Sequence, residues 1–192
     1  MRRAPFIMTV IAGMLVLLMI GGGLGFYAGR LGVAPLEREN QRLSGLNRQV
    51  AAREVALFFM KTVGTDFMLQ PVLTHIPGDS DPHRRALAAL FAGPPAGSGL
   101  DRVFPKTTKV LGLTIDHGMA TVNLNQAATQ LNVGAPGEAL AVAALVNTLT
   151  KFPDVYRVKI LVEGNEVESL AGHVDLTQTF GFNDRVVTLD EK

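Results

Sequence analysis

Hydrophobic and polar positions follow three different rhythms along this chain. From residue 4 to residue 29 there is no charge, and 18 of the 26 positions are apolar. As a helix this run would measure about 39 Å at ~1.5 Å per residue, against a hydrocarbon core of ~30 Å. It predicts one transmembrane helix, with Arg2 and Arg3 before it and Arg30 after it. A cleavable signal needs a short apolar stretch and a small-residue cleavage site. Gly32-Val33-Ala34 is the candidate, but Pro35 follows and the stretch is long, so an uncleaved anchor is expected over residues 1–30. Gly21, Gly25 and Gly29 recur every four residues, a spacing that lets two membrane helices approach closely and leaves a homo-oligomer open. Residues 23–28 also match a dinucleotide fingerprint by spacing, but a membrane-length run stands where that motif needs a short strand.

A second rhythm, of seven, joins Leu36, Leu43 and Val50, with Leu46 between them. Two heptads with a glycine at Gly45 predict a short helical stalk, so residues 31–54 read as a juxtamembrane linker.

Beyond residue 54 the pattern alternates between periods of two and 3.6. Residues 55–60 and 67–74 read as strands around a turn at Gly64-Thr65-Asp66, with Pro71 marking an edge or a bulge. Asp81-Pro82 opens a helix with apolar face Leu87, Leu90 and Phe91, and Gly93-Pro94-Pro95 stops it. Residues 110–115 and 119–124 flank Asp116-His117-Gly118 as a hairpin whose turn type the sequence leaves open. A long helix is expected over 136–151, with Val142, Leu145, Val146, Leu149 and Phe152 inward and Asn147, Thr148 and Lys151 on another side. Residues 155–162 alternate as a strand; short extended pieces at 167–170 and 173–176 are expected to finish the sheet. Residues 181–192 read as a loose polar tail. The fold class expected is α+β: a two-layer sandwich of one mixed sheet of about five strands and two helices, preceded by one transmembrane helix.

Composition sharpens this division. The mean hydropathy of +0.24 is high for a soluble chain, and the anchor accounts for the excess. The net charge of +1 hides two halves. Residues 1–54 hold seven Arg and three Glu; the remainder holds eleven Lys plus Arg against fourteen Asp plus Glu. An acidic domain has no electrostatic reason to bind nucleic acid. With no cysteine there is no disulfide, thiolate metal site, thiol nucleophile or lipid-modifiable thiol. The four histidines, His75, His83, His117 and His173, share no metal-ligand spacing. His173 and Asp175 lie two apart in an expected extended piece, so a hydrogen bond between them is a candidate dyad, but no serine stands in a nucleophile elbow. Residues 78–81 carry calcium-like oxygens without the remaining ligands, and Asp81 reads better as a helix cap. No motif supports an enzyme, and no cofactor or metal is expected.

Five blocks carry a resemblance. They are Leu90-Phe91-Ala92-Gly93-Pro94; Phe104-Pro105-Lys106-Thr107 with Val110-Leu111; the run 118–124 from Gly118 through Val122 and Asn123; the run 145–155 holding Thr148, Leu149, Phe152 and Pro153; and Gly164 followed by Gly172-His173-Val174-Asp175-Leu176. In this order they resemble the GerMN domain of sporulation and spore-germination proteins, over residues 55–180. The resemblance implies a membrane-tethered, extracytoplasmic domain without enzymatic activity, whose motif residues define the fold. It also implies envelope or sporulation proteins as partners, the domain outside the cytoplasmic membrane, and Arg2 and Arg3 inside. Arginines near both ends of the anchor do not by themselves favour that orientation. Family members resemble small ring-building domains of secretion machines, and many are lipoproteins with two tandem domains. In this chain one domain is expected, with an uncleaved helix where they have a lipid. The expected role is an assembly or scaffolding module; the alternative is an envelope module of a cell-wall hydrolysis or sensor system.

Overall fold

The computed structural model describes residues 53–77, 81–131 and 133–189. The expected anchor at 4–29 lies outside them, as does the stalk up to residue 52. Among the described residues no helix is long and apolar enough to cross a membrane.

Among the described residues the fold is mixed α+β, with five strands and two helices. Strands β1 (Arg53–Val63) and β2 (Asp66–Ile76) form an antiparallel hairpin in which Val63 faces Asp66 across Gly64-Thr65. Arg53 and Glu54, read as linker, already belong to β1. Pro71 sits in β2 opposite Phe58. Helix α1 (Pro82–Ala92) begins as expected: Asp81 accepts a hydrogen bond from the Arg84 N–H, and Pro82 occupies the first turn, where a missing donor costs nothing. Ala86, Leu87, Leu90 and Phe91 are its buried stripe. Gly93 ends it at φ 96, and a side chain there would strike the Arg102 guanidinium, which bonds the Phe91 carbonyl.

Strands β3 (Val110–Asp116) and β4 (Met119–Leu124) are antiparallel. Their turn has His117 at φ 46 and Gly118 at φ 81; two positive φ values make it type I′, whose twist matches that of the strands. A 3-10 turn (Gln126–Thr129) and helix α2 (Ala135–Thr150) then carry the chain over to β5 (Arg157–Val162), which lies parallel to β4.

The strands do not form one mixed sheet. The order is β1-β2 in one sheet and β3-β4-β5 in another. Alternation in a sequence marks a strand without naming its neighbour, so one sheet and two read alike. Both sheets contact α2, which also packs on α1. That is why α2 is buried at every position from Leu140 to Leu149. Asn147 and Thr148, expected on another side from the inward face, are fully buried with the rest.

Two further expectations change. Residues 167–170 and 173–176 are bends and turns, not strands. The N–H groups of Leu170, Ala171 and His173, which a ladder would need, are bound instead to the Glu138 carboxylate. The segment expected as a loose tail is fastened over 183–188. Asn147 exchanges two hydrogen bonds with the Asn183 backbone, both 2.8 Å. Leu69 of β2 then bonds the Val186 carbonyl (2.7 Å) and the Thr188 N–H (2.8 Å).

Candidate functional site

Most of the motif residues gather at turns and caps. Asn123 of β4 reaches across to the turn after β5, where its Oδ1 accepts from the Gly164 N–H at 2.7 Å. Glu163 and Gly164 there have φ 50 and 80. Two separate blocks of the sequence thus meet in one contact. Gly118 lies under the Tyr156 ring, and its carbonyl accepts from the Tyr156 and Arg157 N–H groups. Pro105 closes a turn by accepting from Thr108 N–H (3.0 Å). Val122, Leu149 and Phe152 are in the core, Thr148 is buried beside them, and Pro94 and Pro153 follow helix ends.

Gly172, at φ 92, accepts no such burial; its N–H donates to Ser169 Oγ (2.6 Å). His173 and Asp175 stand in the same loop, beside a cavity of about 450 Å³, but they do not pair. Asp175 accepts from the Thr177 hydroxyl (2.6 Å) and N–H (2.9 Å). Those bonds, helped by Lys159 and opposed by slight desolvation, hold its carboxyl below the usual range. The expected dyad is therefore absent, because an ordered turn, not an extended strand, carries both residues.

His83 meets a carboxylate at hydrogen-bond distance. Its Nε2 lies 3.0 Å from Asp154 Oδ1, and its ring packs against that of Phe152 at 4.3 Å, tilted by 42°. Burial raises the Asp154 carboxyl, but the His83 hydrogen bond, a backbone bond and the charges of His83 and Arg53 outweigh it and leave it below the usual value. This pair ties α1 to the turn after α2. Among the described residues no group of three or more His, Asp or Glu is placed to hold a metal.

Sequence reasoning missed two features. One is Glu138, fully buried in the first turn of α2, with three backbone donors at 2.8–2.9 Å. A glutamate at a helix start reads as dipole stabilisation, and nothing local reveals its distant partners. The other is a groove of about 520 Å³ between α1 and the chain entering β3. Ala88 and Phe91 give it an apolar floor, and Arg84, Lys106 and Lys109 surround it with positive charge. Thr108 lines it and is almost fully buried; its hydroxyl has no partner. Arg84 is fixed by Asp81 (3.1 Å) and by the Val110 carbonyl (3.2 Å). Lys106 and Thr107 fell within a recognised block, yet three cations converging in an acidic domain had no signal in the sequence order. The groove thus sets an apolar floor among three cationic side chains next to the edge of a sheet.

Comparison with known proteins places this geometry. A family model described as "Germane: Sporulation and spore germination" matches residues 56–168. Among solved structures, the tandem GerMN domains of the sporulation protein GerM from Bacillus subtilis share 25% identity, with a TM-score of 0.60. That match covers 72% of this chain and 49% of the other, so this chain spans about half of the tandem pair. A candidate lipoprotein from Clostridium perfringens shares 26% identity at a TM-score of 0.51, covering 69% of this chain and 89% of that one. The first GerMN domain of the same GerM, at 22% identity and a TM-score of 0.51, covers 65% and 92% and shows the same fold. A search of curated proteins finds no match.

Proposed function

The chain belongs to the Germane family of sporulation and spore germination domains, and from that premise we propose that it is a non-enzymatic assembly module. Its domain works outside the cytoplasmic membrane, tethered by the apolar run at residues 4–29, and its partners are other envelope or sporulation proteins. The observation that carries this reading is the cationic groove beside β3, a surface for holding a partner. The motif blocks support it, since Gly93, Gly118, Asn123 and Gly164 serve turns and caps rather than a reaction centre. The uncharged run of 26 residues supports the tether, because it exceeds the span of a bilayer core.

Deletion of the gene in its own host tests the role. Heat-resistant spore counts should fall, and undiminished counts would overturn the sporulation reading. Protease added to intact protoplasts tests the orientation: the domain should be digested, and full protection would place it on the cytoplasmic side.

A further inference from the structure

The two sheets have four outer strand edges, and on three of them one strand residue has backbone partners outside the sheet. On β1, Met60 exchanges backbone bonds with Asp101 (3.1 and 2.8 Å). On β2, Leu69 is bonded to the 186–188 segment. On β5, Val158 exchanges bonds with Phe180 (2.8 and 2.9 Å). The outer edge of β3 has no backbone partner over residues 111–116 among the described residues. A type I′ turn closes on Asp116 and Met119 as a bonded pair, and the bonding direction alternates along a strand. Leu113 and Ile115 therefore turn their N–H and C=O groups away from β4. Natural edges are blunted by lysine, proline or bulges. From Leu111 to Ile115 this strand has no charge and no proline, and its register irregularity lies at the start, between Val110 and Gly112.

The groove adjoins this open edge. The Lys109 carbonyl accepts from Asn125 N–H, on the β4 side. The next carbonyl, that of Val110, faces outward and is taken by Arg84. So the guanidinium marks where the free edge begins, with Lys106 and Lys109 around the same groove. Both lysines are exposed and lack an ion-pair partner among the described residues. The folded domain carries net negative charge, so two lysines without an ion-pair partner, beside an Arg84 already paired with Asp81, set a local cationic patch at the end of the open edge.

We propose that β3 accepts an extended acidic segment of a partner protein as an added strand. The backbone of that segment pairs with Leu113 and Ile115, and its carboxylates enter the groove to meet Lys106, Lys109 and Arg84. Main-chain bonds supply binding and the cations supply selectivity, as in other strand-addition interfaces. The inference deepens the assembly reading and rests on it, in that the domain is taken to bind proteins.

Fluorescence anisotropy of the purified full-length chain tests it, with a labelled short peptide of alternating valine and glutamate as probe. Saturable binding is expected. Two N-methylated versions, one methylated at every valine and one at every glutamate, block alternate N–H groups of the probe. One of the two should bind at least about tenfold more weakly. The glutamine analogue, and the double variant Lys106→Glu with Lys109→Glu, should each lose a similar factor, with the variant's thermal unfolding unchanged because both side chains are exposed. No saturable binding would overturn the proposal. So would equal affinity for both methylated peptides and the parent, which would leave charge attraction alone, or equal affinity for the glutamine analogue. Concentration-dependent self-association abolished by Ile115→Pro would assign the edge to a second copy of the chain and overturn it too. If the peptide fails while gene deletion still lowers spore counts, this inference falls and the assembly reading stands.

Discussion

Residues 53–162 and residues 163–189 satisfy their backbones by different means. In the first region strand ladders and two helices do it, and side chains mainly fill the core. In the second there is no strand or helix among the described residues; besides backbone bonds at Phe180, Val186 and Thr188, side chains reaching out of the first region hold the backbone. Glu138 takes three N–H groups, and Asn147 bonds Asn183 twice. Lys159 donates to the Thr177 carbonyl at 2.6 Å, and Asn123 caps Gly164. Leu170 and Leu176 press into the shared core between these ties. A buried polar group that is fully paired specifies one arrangement, whereas an apolar contact tolerates several. The polar residues of α2 thus work as fasteners for the part of the chain that lacks repeating structure.

The largest effect should come from Glu138→Ala. It leaves three buried or half-buried donors without an acceptor, which costs about 3 kcal/mol or more. Chemical denaturation should show the loss. Amide exchange should quicken at Leu170, Ala171 and His173 before β4 or β5 is affected; exchange that rises uniformly would erase the distinction between the two regions. Glu138→Gln, which keeps one acceptor oxygen, should fall between.

Asn147→Leu comes next, at about 2 kcal/mol for two lost bonds and the unpaired groups left on Asn183. Here the 183–188 segment should come free, exposing the outer edge of β2 at Leu69 to exchange and proteolysis. Retained protection of Leu69 would mean that the pairing with Val186 and Thr188 stands without Asn147.

Gly118→Ala probes the regular region. A residue with a side chain is strained at φ 81, and the added carbon would strike the Tyr156 ring. The expected cost is about 1 kcal/mol or slightly more. Tyr156→Ala should recover the steric share and not the backbone share, a coupling that a double-mutant cycle measures. The C-terminal straps should be untouched.

The smallest effect concerns pH. The Asp154 carboxyl lies below its usual value in the folded chain. Its contribution is therefore complete above the unfolded value of 3.8 and disappears as pH falls through the lower folded value. Asp154→Asn should flatten that acid limb of the stability curve. The side chain is half exposed, so solvent screening keeps the difference small. An unchanged acid limb would show that the contact with His83 adds nothing to stability.

How much of this was readable in the chain follows the same division. The strands and helices of 53–162 were legible because each repeats a period, and their ends were legible where Asp81, Gly93 and His117-Gly118 have local chemistry. The extended pieces expected at 167–170 and 173–176 do not form, because a distant carboxylate takes the N–H groups of Leu170 and His173. The polar tail looked loose because Asn183 shows no pattern, and its partner Asn147 is 36 residues away. The basic groove was illegible for the same reason, since Arg84 and Lys106 are neighbours only after α1 has packed beside β3.

By itself the sequence determined the long uncharged run, the acidic domain behind it, the order of the regular elements and the family to which their motif blocks belong. These depend on residues close together in the chain, where steric preference and periodicity act directly. Only the tertiary structure decided that five strands make two sheets, that Glu138 and Asn147 turn inward as fasteners, and that β3, beside three cations, has no outer backbone partner among the described residues. Each of these is a choice of partner, and a donor or an edge chooses among distant candidates only when packing has brought them within reach.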